Sequence, residues 1–176
     1  PREWIENTIS AIADLLAHHQ LDARRVAAIS TTGMVPAVLL LGDDGMPLRR
    51  AILQSDARAV DEIAQVADYL EPFSPVETTG SAVSQQSVAP TLLWLQKHEP
   101  EIWSRTRVVV GGYDWILMHL GGRPHVEQNW ALESGLFTIA GERFAQAFSA
   151  AQIEQDRVPD IAAPGTVVGS LSREMA

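Results

Sequence analysis

An apolar run that ends in a loop of small residues, followed by a hairpin, most constrains the fold of this 176-residue chain. The run Arg25 to Ser30 has the composition of a buried central strand and leads into the loop Thr31 to Pro36. Ala37 to Leu41 and Leu48 to Leu53 flank an Asp-Gly pair, which predicts an antiparallel hairpin. Because α/β proteins bind ligands where strands end in such loops, this rim is the predicted ligand site.

The rest of the chain alternates between helical and strand patterns. Apolar residues recur at helical spacing from Arg2 to Gln20, from Arg58 to Leu70 and from Pro90 onward. Arg107 to Val110 is a strand candidate, and Tyr113 to Leu120 is a further helix candidate. This alternation predicts an α/β fold with a mixed sheet and packed helices, and the length is that of a single domain.

Several local signals refine this pattern. Glu71 to Pro90 is rich in Pro, Ser, Thr and Gly and lacks a period, which predicts a long loop that is functional or mobile. Asp56 is placed to cap the helix that follows it, and Pro100 is placed to begin a short one. Gly141 to Ala150 predicts one more helix, and a strand is predicted to start at Thr166 to Val168.

The surface is predicted to be acidic, since 13 Lys and Arg stand against 22 Asp and Glu and give a formal charge of −9. Such a surface repels phosphate backbones and anionic lipids, so neither nucleic acid nor a membrane is an expected partner. The chain has no Cys, which is typical of a reducing cytoplasm. No apolar run approaches the ~18 residues of a membrane span, so a cytoplasmic location is expected.

Asp56 and Arg58 are the first candidates for ligand binding. A carboxylate accepts hydrogen bonds and a guanidinium donates them in a fixed fork, so the pair can bind neighbouring hydroxyls of a ligand. The alternative is a helix N-cap beside a solvated Arg, which composition alone favours. The loop Thr31 to Pro36 can likewise be a ligand cradle around Gly33 or an ordinary connection, and it is neither a Walker loop nor a Rossmann fingerprint.

The remaining polar and aromatic residues do not indicate metal binding or hydrolase chemistry. The five His are not spaced like metal ligands, and no Gly-x-Ser-x-Gly nucleophile elbow is present. Trp94, Trp103 and Trp115 lie among Leu and Ile at helical spacing and are predicted to be core residues.

Several segments, taken in order, resemble the first domain of the FGGY carbohydrate kinases, nearest to the xylulokinase type. They are the loop around Met34, the Asp56 and Arg58 pair, Pro90 to Pro100, and Gly135 to Phe137. The resemblance covers nearly the whole chain, and its specificity lies in the series rather than in any one motif. It implies a ribonuclease H-like fold of the actin and hexokinase type. In such kinases an Asp acts as base on a sugar hydroxyl, while Mg²⁺ and backbone amides hold the phosphates of ATP.

The resemblance also implies a sugar site assembled from three segments. The family's Ser-Gly-Gln-Met-His-Gly loop touches the sugar; Met34 keeps its Met, whereas Val35 replaces the His and removes a polar contact. The pattern Ile-Leu-Trp-x-Asp-x-Arg is matched at Asp and Arg, but Gln54 replaces the aromatic residue that walls the site. The third segment is Glu127-Gln128, where the family carries an acid and then a polar or aromatic residue; the alternative is an acid on a solvated loop. The implied substrate-binding residues are Met34, Gln54, Asp56, Arg58, Glu127 and Gln128.

The same resemblance implies that parts of a complete kinase lie outside these residues. The Asp-x-Gly-Thr hairpin for phosphates and metal is expected before Pro1, and the catalytic Asp with the ATP-binding domain after Ala176. Residues 1–176 are therefore expected to form most of one N-terminal domain that is inactive alone, holds no catalytic residue, and binds no ATP, Mg²⁺ or other metal. The open sheet edge is expected to cause homo-oligomerisation or association with a partner segment.

Three functional classes follow. The first is part of a kinase that uses ATP and Mg²⁺ to phosphorylate a small sugar, such as the ketopentose xylulose, or a related polyol. The second is a non-catalytic sugar- or protein-binding module derived from a kinase, which the departures at Val35 and Gln54 favour. The third, a stand-alone structural domain, is favoured if the segment from Glu71 to Ala89 forms a partner interface.

Overall fold

The hydrophobic core is organised around an antiparallel pair of short strands. The computed structural model describes residues 1–172. In it β1 (Leu39–Leu41) pairs with β2 (Val108–Val110), with Leu40 opposite Val109. Every residue of β1 is buried, so this strand lies at the centre of the core. The strand predicted from Arg107 to Val110 is therefore confirmed.

The predicted hairpin after β1 is also confirmed. The chain reverses at Gly45, whose φ of +70° suits a residue without a side chain. Its two arms are joined by antiparallel bridges between Val38 and Ile52 and between Leu41 and Pro47. The second arm is held by these bridges rather than by a continuous ladder.

Apart from these short strands, the regular structure is mainly helical. In the described residues they are α1 (Arg2–His18), α2 (Val60–Leu70), α3 (Pro75–Thr79), α4 (Val88–His98), α5 (Pro100–Arg105), α6 (Gly112–His119), α7 (Gln128–Glu133) and α8 (Ala145–Ala150). Short 3₁₀ turns occupy Ala23–Arg25, Glu71–Phe73 and Gln155–Arg157. Helices α2, α4 and α8 pack on one another, and α1 packs on α6.

A second, smaller pair of strands packs against α7. The strand β3 (Val126–Glu127) runs parallel to β4 (Ile161–Ala162), with Val126 opposite Ile161. Residues 1–172 thus contain one antiparallel and one parallel pair, in place of one continuous mixed sheet. None of the helices in this range is both long and apolar enough to cross a membrane.

The prediction of a buried strand from Arg25 to Ser30 is wrong. The segment leaves the 3₁₀ turn as an extended chain that pairs with no strand among the described residues, and Val26 is 46% exposed. A strand needs a neighbour to bond its backbone groups, and composition does not reveal whether that neighbour is present. The strand predicted to start at Thr166 to Val168 does not form; within residues 1–172, backbone pairing there is limited to a single antiparallel bridge between Gly169 and Gly122, and Val167 is 85% exposed.

The predicted loop from Glu71 to Pro90 is partly helical. It contains the 3₁₀ turn and α3, each with a Pro in its first turn, where the missing N–H costs nothing. Helix α4 then begins at Val88, before Pro90. The predicted cap of α2 is wrong, because Asp56 accepts the Arg58 N–H at 3.1 Å and α2 begins only at Val60.

The predicted core tryptophans separate into two groups. Trp115 is fully buried, as predicted. Trp94 and Trp103 are only partly buried, and each carries an Arg guanidinium over its ring, from Arg58 at 4.9 Å and Arg157 at 5.0 Å. These two rings therefore lie at the edge of the core, where an Arg guanidinium can contact the ring face.

Candidate functional site

A wide, open groove of about 1120 Å³ runs along one side of the molecule. One wall is the unpaired segment 26–33, and the other is the C-terminal segment 162–171. Between them lie residues from α6 and from the β3–α7 junction, including Tyr113, Asp114 and Glu127. The groove therefore joins the loop predicted as a ligand cradle to one of the predicted sugar-binding acids.

The loop after the unpaired segment is fixed against α6. The Thr31 hydroxyl donates to the Tyr113 carbonyl at 3.1 Å. A Cβ at Gly33 would lie 2.9 Å from Tyr113 Cδ1, so only glycine lets the loop approach this ring so closely. Met34 follows with 70% of its surface exposed, and the Gln54 amide donates to its sulfur.

Glu127 lies at the end of β3 and caps the first turn of α7. Its Oε2 accepts the Asn129 N–H at 2.8 Å and the Tyr113 hydroxyl at 2.9 Å. Its Oε1 accepts only the Asn129 side-chain amide, at 3.0 Å, among the described residues. A carboxylate oxygen accepts two hydrogen bonds, so Oε1 can take one more donor from the groove.

Beneath Glu127 lies a buried acid, Asp114, which is fully inaccessible to solvent. Its Oδ2 accepts the Gly111 N–H at 3.2 Å, and its Oδ1 accepts the Glu127 N–H at 3.1 Å. The Nε2 of His125, itself buried, lies 3.7 Å from Oδ1. The Nδ1 of His125 lies 2.9 Å from the Arg123 carbonyl, which can only accept, so Nδ1 carries a proton.

Burial shifts the ionisation of two groups in this cluster. It raises the pKa of Asp114 to about 7, against the opposing effect of the two backbone N–H groups. Burial, followed by the hydrogen bond to Glu127, also raises the pKa of Tyr113 above its ordinary value. The Tyr113 hydroxyl therefore stays protonated and remains a donor to Glu127 at neutral pH.

Asp56 and Arg58 belong to a separate group of charges. Arg58 donates to both oxygens of Asp56, at 2.8 and 2.7 Å, and its other end lies 3.8 Å from Glu99. Glu99 also accepts from Arg49 at 2.7 Å. The hydrogen bond from the Arg58 side chain holds the pKa of Asp56 below its ordinary value. The group is thus an internally compensated cluster of two cations and two anions.

The structure distributes the six predicted site residues over three places. Glu127 lies in the groove, and Gln128 is exposed at the first position of α7. Met34 and Gln54 contact each other beside Gly33, which connects them to the groove through Tyr113. Asp56 and Arg58 are directed into their own ion pair and do not line the groove.

Sequence reasoning did not select Tyr113, Asp114, His125 or Asn129, although all four line the groove. One signal was available for Asp114. It is the only acid in the largely apolar stretch from Val108 to Leu120, and a charge there is buried with partners or exposed on a helix face. Among residues 1–172, no group of three or more His, Asp or Glu side chains is arranged to hold a metal ion.

Comparison with known proteins defines the class of the fold. The chain superposes on the crystal structure of a xylulose kinase from Rhodospirillum rubrum with a TM-score of 0.92 and 35% identity, over 100% of this chain and 37% of that one. A glycerol kinase from Plasmodium falciparum shares the fold with a TM-score of 0.83 at 20% identity, over 96% of this chain and 35% of that one. The predicted ribonuclease H-like α/β fold of sugar kinases is therefore confirmed.

Sequence comparison then gives the family. The profile described as FGGY family of carbohydrate kinases, N-terminal domain, matches residues 1–176. The chain belongs to the FGGY family of carbohydrate kinases. A xylulose kinase from Staphylococcus epidermidis is 29% identical over 180 residues, which are 99% of this chain and 35% of that relative. The chain thus spans about a third of the length of the curated relatives that it matches.

Proposed function

We propose that this chain supplies part of the sugar site of an ATP-dependent kinase that phosphorylates a hydroxyl of a small sugar. The proposed substrate is a ketopentose such as xylulose, or a related polyol. Family membership and the xylulose kinases among the similar proteins support the reaction class. The observation on which the sugar site rests is Glu127, whose carboxylate lines an open groove with acceptor capacity left on Oε1.

The chemistry of the groove suits a polyhydroxylated ligand. Carboxylate oxygens accept hydrogen bonds from hydroxyls, and the Asn129 amide and the Tyr113 hydroxyl hold the Glu127 carboxylate in one orientation. Met34 and Gln54 offer an adaptable apolar and polar surface beside it. Asp56 and Arg58 belong to the proposed site only if a ligand draws them out of their mutual ion pair.

In the proposed enzyme, this domain contacts the sugar and other parts of the kinase bind ATP. Residues 1–176 form most of an N-terminal domain without the first phosphate-binding hairpin and without the ATP-binding domain, and they are inactive alone. ATP and Mg²⁺ are the proposed cosubstrate and metal of the whole enzyme. The described residues offer no cluster that fits a metal ion, so no Mg²⁺ ligand is assigned among them. The acidic charge opposes nucleic-acid and anionic-membrane partners, and the absence of Cys supports a cytoplasmic location.

Replacing Glu127 with Gln is expected to weaken sugar binding at least about tenfold, because the charged acceptor and its orientation are both lost. Calorimetric titration with a panel of pentuloses and polyols, with and without Mg-ATP, measures the effect. The matched control is Glu133→Gln at the other end of α7, which is exposed and is expected to leave affinity unchanged.

Equal affinity in the Glu127→Gln variant and the unmodified protein would overturn the assignment of Glu127. Absence of binding to every sugar in the panel would count against a sugar site. Sugar binding by the whole protein without phosphorylation in the presence of Mg-ATP would favour the non-catalytic binding module instead.

We also propose that the unpaired segment 26–33 is covered in the assembled protein, by a second copy or by another segment. Its backbone lacks a neighbouring strand among the described residues, and Val26 and Val167 are exposed on the two walls of the groove. Unpaired strand edges with apolar side chains tend to associate. The formal charge of −9 opposes self-association, and this repulsion weakens with added salt.

The double substitution Val26→Lys with Val167→Lys is expected to shift the protein toward the monomer, since a charge at each position disfavours burial of these two exposed apolar side chains. Light scattering after size-exclusion chromatography measures the mass. The control is Val76→Lys on α3, which is 50% exposed against 46% for Val26 and does not line the groove. A protein that is monomeric before any substitution, at all concentrations and salt levels tested, would refute self-association.

A further inference from the structure

Asp114 is a buried acid that joins two parts of the chain. It occupies the third position of α6, and its carboxylate accepts the N–H of Gly111, the residue that precedes the helix. This bond is the reciprocal half of a capping box, in which an acid at the third position accepts the N–H of the cap residue. An acid that only capped its own helix would normally lie at the surface, whereas Asp114 is fully buried.

The second oxygen of Asp114 explains its burial. Oδ1 accepts the Glu127 N–H at 3.1 Å, across a separation of 13 residues. Glu127 ends β3 and caps α7, so this bond fixes the backbone at the point from which the Glu127 side chain enters the groove. The carboxylate of Asp114 thus ties the start of α6 to the start of α7.

Packing leaves Asp114 little freedom to move. A Cβ at Gly111 would lie 2.5 Å from its Oδ2, which shows how closely the carboxylate lies against the backbone. Within residues 1–172, the titratable side chains nearest to it are His125 at 3.7 Å, Glu127, whose backbone N–H it accepts, and Tyr113, the preceding residue. Tyr113 bonds the Glu127 carboxylate while Asp114 bonds the Glu127 backbone, so adjacent residues of α6 hold both ends of Glu127.

We propose that Asp114 is a positioning residue that holds Glu127 in the orientation required to contact the sugar. This inference rests on the proposed function of Glu127 in sugar binding. Asp114 acts through the Glu127 N–H and does not itself touch the ligand. Asp114→Asn keeps the shape of the side chain but replaces one acceptor oxygen with a donor. Because Nδ1 of His125 carries the proton, Nε2 of the neutral ring is an acceptor and lies 3.7 Å from Oδ1, so the amide NH₂ is expected on this side and the bond to the Glu127 N–H is the one that breaks.

The test is amide hydrogen exchange measured by NMR on the whole chain, together with calorimetric sugar binding. For each N–H group, the exchange rate in Asp114→Asn is divided by the rate in the unmodified protein. This ratio is expected to be at least about tenfold larger for Glu127 and Asn129 than for the residues of β1. Sugar affinity is expected to fall at least about tenfold, as for loss of the Glu127 carboxylate itself. The control is Val66→Ala, a buried position in α2, which lowers global stability without touching Glu127.

The outcomes separate this inference from the proposed function. Faster exchange at Glu127 and Asn129 without sugar binding in any form of the protein would support positioning and refute the sugar site. Unchanged exchange at both amides, or the same pattern in Val66→Ala, would overturn positioning. If Asp114→Asn does not fold, the unmodified protein decides by pH titration. The NMR chemical shift of the Glu127 amide is expected to change over the pH range in which Asp114 ionises. A chemical shift that stays constant over this range contradicts the inference.

Discussion

Raising the pH from about 4 to about 8 is expected to lower the free energy of unfolding by about 4 kcal/mol through Asp114 alone. Burial raises the pKa of this acid from 3.8 to about 7 in the folded protein. The unfolded chain therefore releases its proton at a lower pH than the folded protein does. The contribution of Asp114 to the free energy of unfolding is therefore highest below the pKa of the unfolded chain. It falls as the pH rises and levels off above the pKa of the folded protein.

Chemical denaturation at a series of pH values measures this effect, and Asp114→Asn identifies its source. The variant is expected to lose the downward slope between about pH 4 and about pH 7, whatever its absolute stability. Asp14→Asn, at an exposed position of α1, is the control and is expected to keep the slope. Asp56 affects the free energy of unfolding with the opposite pH dependence. Because its pKa is lowered in the folded protein, Asp56 stabilises the protein above pH 3.8, and this contribution is lost on acidification. Parallel curves for the unmodified protein and Asp114→Asn would contradict the prediction.

Elements whose structure depends on residues close in sequence could be predicted from the sequence. The hairpin after β1 was predicted because an Asp-Gly pair turns the chain locally, and Gly45 adopts the positive φ that the turn requires. Helices α1 and α6 were predicted within two residues of their observed ends, because their apolar spacing reflects one buried face. Glu127 was selected through family resemblance and does line the groove.

Features that depend on distant residues were not accessible. The segment from Arg25 to Ser30 has the composition of a strand but no neighbour among the described residues, so it is exposed and unpaired. Asp114 was not selected, because a lone acid in a sequence gives no sign that Gly111 and Glu127 will converge on it. The approach of Glu99 to Arg58 likewise joins residues that are distant in sequence. Composition predicted the types of groups present, and tertiary packing determined which of them meet.

Gly111→Ala is expected to destabilise the protein by about 3 kcal/mol, although a glycine with an ordinary φ normally tolerates alanine. The φ of Gly111 is −77°, so its backbone conformation suits any residue. The obstacle is space: a Cβ would lie 2.5 Å from Asp114 Oδ2 and 2.7 Å from Trp130 Cδ1. Both side chains are fully buried, and Trp130 donates its indole N–H to the Ala37 carbonyl at 2.8 Å, so neither can yield without losing a hydrogen bond.

Denaturant unfolding measures the loss of stability, and tryptophan fluorescence reports whether the indole of Trp130 becomes exposed to water. Gly42→Ala is the matched control, because its Cβ would meet the flexible end of Leu48 at 3.1 Å and the change should cost less than about 1 kcal/mol. The added methyl at position 111 also pushes the Asp114 carboxylate away from both helix starts. Faster hydrogen exchange at Glu127 should therefore accompany the loss of stability. A Gly111→Ala protein as stable as Gly42→Ala would mean that Asp114 does not lie against Gly111, and its bond to Glu127 could not then have the geometry described.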